Sequence, residues 1–276
     1  MKKAYSEFYG FNLPPFNKTP DPSFLYMSKM HSEALERMKL AVEEKDIVLI
    51  TGEIGCGKTT LIRALVDSMG KNYLPILISS PRLTPFQFLK ALLKKFGVDG
   101  TFRTRTEIID RIEDEIFGMY ENNMVPVIII DEAQTIPKNE VFEDLRLLTN
   151  FQLDDENLFS LIIVGQPELR KRLSHPKNRA FWQRIGIHYV LRPFELEDTE
   201  NYIKFRLKKA GGREDLFSKD AIEKVHHYSE GIPRMINHIC SNALIEGFSR
   251  DAKTIKGDII EAVIQEMLPY PRVLRA

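Results

Sequence analysis

Ile47-Val48-Leu49-Ile50-Thr51-Gly52-Glu53-Ile54-Gly55-Cys56-Gly57-Lys58-Thr59-Thr60 decides the fold. An apolar run short enough for a buried strand leads into a glycine-rich loop, and Thr60-Leu61-Ile62-Arg63-Ala64-Leu65 then continues as a helix. Gly52 to Thr59 fits the pattern G-x-x-x-x-G-K-[ST] in full, in the strand–loop–helix context that pattern requires. Its glycines let backbone N–H groups turn inward around phosphate oxygens, and the start of the following helix adds its dipole. The expected phosphate-binding set is Gly52, Gly55, Cys56, Gly57, Lys58, Thr59 and Thr60. Lys58 is expected to reach the β- and γ-phosphates of ATP, and Thr59 to ligate Mg²⁺. Cys56, at a variable position of the loop, reads as filler rather than as a redox switch.

Outward from the loop, strands and helices alternate. Strands are expected at Leu74–Ile78, Val127–Ile130, Leu158–Val164 and His188–Leu191. Thr84-Pro85-Phe86-Gln87 has the form of a capping box with proline at the first helical position, and Gly97 stands where that helix should stop. Ile108, Ile109, Ile112 and Ile116 mark another apolar stripe. Continuous apolar strands separated by helices predict an α/β fold: a parallel five-stranded sheet sandwiched by helices. Beyond Pro193 the strand signal ends, and helical stripes divided by Gly211-Gly212, Gly231 and Gly257 predict a small all-α domain. Before the sheet, residues 8–30 are rich in Phe and Pro and read as an irregular arm; Ser28 is a candidate cap for the helix carrying Leu35, Met38 and Val42. The expected division is an arm over 1–30, an α/β domain over 31–192, a helical domain over 193–268 and a tail over 269–276.

Chemistry gathers at the strand ends. Val127-Ile128-Ile129-Ile130-Asp131-Glu132 is an apolar strand closed by two carboxylates. Asp131 is the expected Mg²⁺ holder and Glu132 the residue that orients and polarises an attacking water. That second carboxylate separates hydrolysis from mere nucleotide binding. Leu161-Ile162-Ile163-Val164-Gly165-Gln166 ends in an amide that a neighbouring strand would aim at the same water or phosphate. In the helical region, Gly231-Ile232-Pro233-Arg234 opens a helix with a candidate phosphate-facing arginine, Arg234. From Arg170 to Arg192 the chain carries Lys171, Arg172, Lys177, Arg179 and Arg184 with almost no acids, a run fit for a subunit contact or for nucleic-acid phosphates.

Composition sets the outer limits. The 43% hydrophobic and 28% charged fractions are those of an ordinary globular chain, and a formal net charge of zero gives no global case for nucleic acid or membrane. Two cysteines, Cys56 and Cys240, supply neither a disulfide framework nor metal spacing, as in a reducing compartment. The start carries no secretory pattern and no apolar run approaches the roughly 18 residues of a membrane span, so the expected location is cytoplasmic.

Together these residues resemble the AAA+ superfamily and, within it, the ExeA/GspA-like ATPases. The resemblance is carried by Phe8-Tyr9-Gly10-Phe11, Pro14-Pro15-Phe16, Pro20-Asp21-Pro22, Leu25-Tyr26 and His31-Ser32-Glu33-Ala34-Leu35. The Walker A and B motifs continue it, with Gly165-Gln166-Pro167-Glu168-Leu169, Gln183-Arg184-Ile185 and Gly231-Ile232-Pro233-Arg234. It implies an ATPase working as a homo-oligomer, with Gln166 as sensor 1, Arg234 as sensor 2 on a helical lid, and Arg184 as the finger that completes a neighbour's site, Arg179 standing second. It also suggests that His31 and the aromatic arm lie near adenine, and that Arg82, Arg103 and Arg105 would face nucleic acid if they lined a ring's channel. Two kinds of partner follow: a membrane-borne secretion system, or double-stranded DNA with a transposase, as for the TniB/TnsC group. Rival readings are a P-loop phosphotransferase and a nucleotide-bound scaffold that does not hydrolyse.

Overall fold

The computed structural model describes residues 2–17, 24–79, 81–153 and 156–267. Pro20-Asp21-Pro22 and the tail over 269–276 lie outside the described residues. The chain runs α1 (Lys2–Tyr9), α2 (Lys29–Glu43), β1 (Ile47–Gly52), α3 (Lys58–Ser68), β2 (Tyr73–Ser79), α4 (Pro85–Lys95), α5 (Arg105–Glu121) and β3 (Val125–Asp131). It continues through α6 (Glu140–Leu148), β4 (Gln152–Leu153), β5 (Glu156–Asn157), β6 (Ser160–Gly165), α7 (Pro167–Leu173), α8 (Arg179–Trp182) and β7 (Ile187–Leu191). Four helices close it: α9 (Leu196–Lys209), α10 (Lys219–Ser229), α11 (Pro233–Ser249) and α12 (Gly257–Met267). Contacts divide the chain into two compact units, one of Lys29–Glu53 with Lys58–Leu191, the other of Met1–Ser28, Ile54–Gly57 and Arg192–Ala276.

The first unit is a five-stranded sheet in the order β2-β3-β6-β1-β7, every pairing parallel. Strand position follows composition. The unbroken apolar runs of β1, β3 and β6 occupy the centre and are buried along nearly their whole length, as strands covered on both faces must be. The mixed β2 and β7 take the edges and stay half exposed. Helical stripes cover the sheet: Leu89, Leu92 and Leu93 of α4 and Ile108, Ile112 and Ile116 of α5 are wholly buried in one cluster with Ile128, Ile130 and Leu161. The fourth strand of the sheet begins at Ser160 rather than Leu158, because Leu158 and Phe159 enter the core before the pairing with β1 starts.

The second unit is helical. Its core joins Ile203 and Leu207 of α9, Val225 of α10, Ile236 and Leu244 of α11 and Ile260 of α12 with Tyr5, Phe11, Phe16 and Phe24 from the start of the chain. Phe8 and Tyr9, expected in an irregular arm, form the last turn of α1. Their spacing from Tyr5 gives that short helix an apolar face: Phe8 meets Phe248 edge-on and the Tyr9 hydroxyl donates to the Ala252 carbonyl at 3.1 Å. Arg206 is buried beneath the arm, donating to the Pro15 carbonyl at 2.7 Å and lying over the Phe24 ring. Among the described residues no helix is long and apolar enough to cross a membrane.

Candidate nucleotide site

Parallel strands present their carboxyl ends together, and ligands of open α/β sheets bind there. In this sheet β3, β6 and β1 are adjacent, so Asp131 and Glu132, Gln166, and the loop after Gly52 emerge side by side. In the loop, Gly55 and Gly57 hold φ of +91° and +95°, a region in which a side chain is strained, and these reversals turn the backbone into a cradle opening on α3. Lys58 is buried and donates to the carbonyls of Gly52 at 2.7 Å and Glu53 at 2.9 Å, so its ammonium lies across the first turn of the loop. Cys56 is buried between the two glycines, whereas Thr59 is exposed and Thr60 partly so.

The Thr59 hydroxyl donates to Asp131 Oδ2 at 2.9 Å. A hydroxyl and a carboxylate in contact are hard oxygen donors of the kind Mg²⁺ takes, so the residues present fit that ion. Burial pushes the Asp131 carboxyl above its ordinary value, against the opposing pull of the Thr59 hydroxyl and the Glu132 N–H. Glu132 follows in the left-handed region, φ +54°, which turns its side chain out of the strand's alternation. Its Oε2 accepts from two carboxamides, Gln166 Nε2 at 3.2 Å and Gln134 Nε2. Gln134 was absent from the expected set. Two positions past a carboxylate, in a three-residue turn, it looks like an ordinary turn residue.

Lys58, Thr59, Asp131, Glu132 and Gln166 are thus brought together in the sheet unit. Arg234 belongs to the helical unit, together with the tip of the loop, Ile54–Gly57. Its side chain is exposed and its N–H donates to the Gly55 carbonyl at 3.3 Å; a Cβ on Gly55 would stand 2.7 Å from Arg234 Cβ. The glycine therefore also makes room for the start of α11.

Arg184 is not part of this group. It precedes β7, and its guanidinium donates to the Thr149 carbonyl at 3.2 Å and to Asn150 Oδ1 at 2.7 Å, in a cleft lined by Lys45, Asp46, Ile47 and Phe159. Asp46, Ile47 and Phe159 stand at the amino ends of β1 and β6, so Arg184 lies at the opposite end of the strands from its own chain's loop. The basic run around it divides. Arg172 is spent on Asn139, the Ile136 carbonyl and the face of Phe142, and burial lowers its pKa. Arg170 lies over Trp182. Lys171, Lys177 and Arg179 are exposed, and among the described residues none of the three enters an ion pair. The expected channel residues Arg82, Arg103 and Arg105 are all exposed, and Arg105 is paired with buried Asp144. His31 is buried in α2.

A family model described as AAA domain matches residues 41–173. General secretion pathway protein A of Aeromonas hydrophila is 37% identical over 258 residues, a match covering 92% of this chain and 47% of that protein. The chain therefore spans about half the length of the curated relative it matches. Among solved structures, the ORC2 protein of Aeropyrum pernix (ADPNP–ADP complexes) superposes with a TM-score of 0.69 at 16% identity, over 93% of this chain and 72% of that one. The Aeropyrum pernix ORC1 protein in complex with DNA gives 0.65 at 18%, over 93% and 70%. The Thermotoga maritima RuvB Holliday junction branch migration motor gives 0.57 at 20%, over 88% and 73%. Identities this low bear on the fold alone.

Proposed function

The chain belongs to the AAA+ ATPases of the ExeA/GspA-like family, and on that premise we propose that it binds Mg²⁺-ATP and hydrolyses it at contacts between subunits to assemble or remodel a partner complex. The observation that carries this reading is the convergence of Lys58, Thr59, Asp131, Glu132 and Gln166 at the carboxyl ends of three adjacent strands. Bound Mg²⁺, held through Thr59 and Asp131, would neutralise phosphate charge and fix the orientation of the phosphates. Lys58 supplies a second positive charge at the loop. Glu132 holds and polarises the attacking water, with Gln166 steadying the carboxylate. Arg234, at the head of α11, is the residue through which the helical lid answers to the nucleotide. Arg184 lies too far from its own loop to serve it, which supports a role as the finger for a neighbour's site in a homo-oligomer. The partner we favour is a secretion-system component at the cytoplasmic side of a membrane, where ATP is supplied; the name of the matched relative, General secretion pathway protein A, supports that choice.

Exposed Lys171, Lys177 and Arg179 favour a second reading, in which double-stranded DNA with a transposase is the scaffold for assembly. ATP turnover and sedimentation of the purified chain, alone and with DNA at two salt concentrations, separate the readings. Lys58→Ala is expected to abolish nucleotide binding, whereas Glu132→Gln should bind ATP, fail to turn it over, and accumulate in the assembled form. Turnover by Glu132→Gln at the parent rate would remove Glu132 from the chemistry. Stimulation by DNA that falls steeply with salt would select the second reading over the first.

A further inference from the structure

Gln134 occupies a place in the site that neither motif assigns to it. It lies in the three-residue 3-10 turn Ala133–Thr135 that follows Glu132, and the turn itself is already secured: Thr135 donates to the Glu132 carbonyl through its N–H at 2.9 Å and its hydroxyl at 2.8 Å. The Glu132 N–H donates in turn to Asp131 Oδ1 at 2.9 Å. These bonds fix the backbone of Glu132 but leave its side-chain torsions to other groups. Those groups are two carboxamides. Gln134 Nε2 and Gln166 Nε2 both donate to Glu132 Oε2, and Gln134 Oε1 accepts from the Gln166 backbone N–H at 3.1 Å.

The three residues close a ring, and the ring has one sense. Turning the Gln134 amide over would set its oxygen against a carboxylate and its N–H₂ against another N–H, losing both contacts. The neighbouring strand is also shaped for this amide. Gly165, at the end of β6, is buried, and a Cβ there would stand 2.8 Å from Gln134 Oε1 and 2.6 Å from Leu169 Cδ2. A residue needed only to finish a turn would not require an acceptor aimed at Gln166, the residue that caps the start of α7.

We propose that Gln134 is a positioning residue for the reaction: its carboxamide ties the Glu132 carboxylate to the end of β6, so that Glu132 and Gln166 hold one geometry and move together. The inference rests on the reading of Glu132 as the water-activating carboxylate. Its consequence is specific to turnover. Among the described residues the Gln134 side chain hydrogen-bonds to Glu132 and Gln166 and not to the loop or the Thr59–Asp131 pair, so losing it should leave nucleotide binding in place.

The test compares steady-state ATP hydrolysis, binding of a fluorescent ATP analogue and melting temperature for the full chain and three variants. Gln134→Met keeps the length and removes both polar ends. Gln134→Glu keeps an acceptor for the Gln166 N–H but sets an oxygen against Glu132. Both are expected to lower kcat tenfold or more while KM and analogue affinity stay within about twofold. Gly165→Ala, which presses on the same amide from the other strand, should lower kcat in the same direction. Parent-like kcat in Gln134→Met and Gln134→Glu would overturn the proposal. So would a fall in kcat matched by an equal loss of affinity or explained by unfolding, which is what a purely structural turn residue would give. Glu132→Gln, measured alongside, keeps the two ideas apart. If it is inactive while the Gln134 variants are normal, the positioning role alone fails; if it is fully active, the reading beneath it fails.

Discussion

Asp144 is wholly enclosed within α6; among the described residues its carboxylate has one ionic partner, Arg105 at the start of α5, and its Oδ2 has no hydrogen-bond partner. Burial raises the Asp144 pKa, and the Arg105 guanidinium pulls the other way. Removing one partner of an enclosed pair strands the other charge, at a cost of about 3–5 kcal/mol. Since the Arg105 side chain is 45% exposed, solvent screens part of the interaction. Arg105→Met is therefore expected to destabilise the fold by a smaller amount, about 1–2 kcal/mol near neutral pH. The pH dependence has a definite sign. A carboxyl whose folded pKa is raised binds its proton more readily in the native state, so its contribution to stability is present below the ordinary value and is lost as pH rises through the folded one. Taking away Arg105 raises that value further, so the deficit of Arg105→Met should shrink as Asp144 is protonated on acidification. Urea denaturation of both proteins at about pH 7 and pH 5 reads the difference; a deficit independent of pH would remove Asp144 from the explanation. At this scale the sequence is legible where a residue's surroundings are local. Asp131, Glu132 and Gln166 stand at or just past the end of an apolar strand, and Thr59 lies in the first turn of the helix that follows another. The pairing of Arg105 with Asp144 was not legible because the two lie 39 residues apart, and Gln134 passed unnoticed because its second contact, Gln166, follows another strand.

Elements were legible in proportion to how far their signals are self-contained. The central strands carry theirs in composition, because burial on both faces demands unbroken apolar runs. Helix α4 carries its own at the termini. Thr84 Oγ1 accepts from the Gln87 N–H, Gln87 Oε1 accepts from the Thr84 N–H at 3.0 Å, Pro85 opens the helix, and Gly97 at φ +90° follows its end. Thr84→Ala should cost about 1 kcal/mol and Thr84→Ser much less, since serine keeps the acceptor. Guanidinium denaturation, comparing midpoints at equal m-value, checks this; equal losses for the two variants would point away from the cap and toward the methyl group. By contrast, α1, α6 and the small β4–β5 hairpin were not anticipated. Helix α1 is only eight residues long, with Gly10 at φ +74° after its end as its terminal signal, and it is held by Phe248 and Ala252 of the helical unit. The hairpin pairs two residues on each side, too few for alternation to register.

At the scale of the molecule, the helical unit is assembled from residues far apart in the chain. Asn12 N–H donates to the Ala210 carbonyl at 2.8 Å, Arg206 binds the Pro15 carbonyl, and Phe11 packs so closely on Gly212 that a Cβ there would overlap its ring. The Gly211-Gly212 pair, legible only as a break after α9, thus also forms the seat of the arm. No periodicity could reveal this, because the two surfaces are separated by about two hundred residues and each looks complete without the other. If the arm is part of that unit's core, its loss should act as a core truncation and not as the trimming of a surface strand. Phe11 is 7% exposed, and Phe11→Ala is expected to cost about 3 kcal/mol, a large share of a marginal domain stability and roughly 10 °C or more in melting temperature. Scanning calorimetry combined with limited proteolysis localises the effect. New cleavage should appear first within α9–α12, while peptides of β1, β3 and β6 stay protected until a higher temperature. Loss of protection throughout the sheet at the same temperature would mean instead that the arm stabilises both units as one cooperative block.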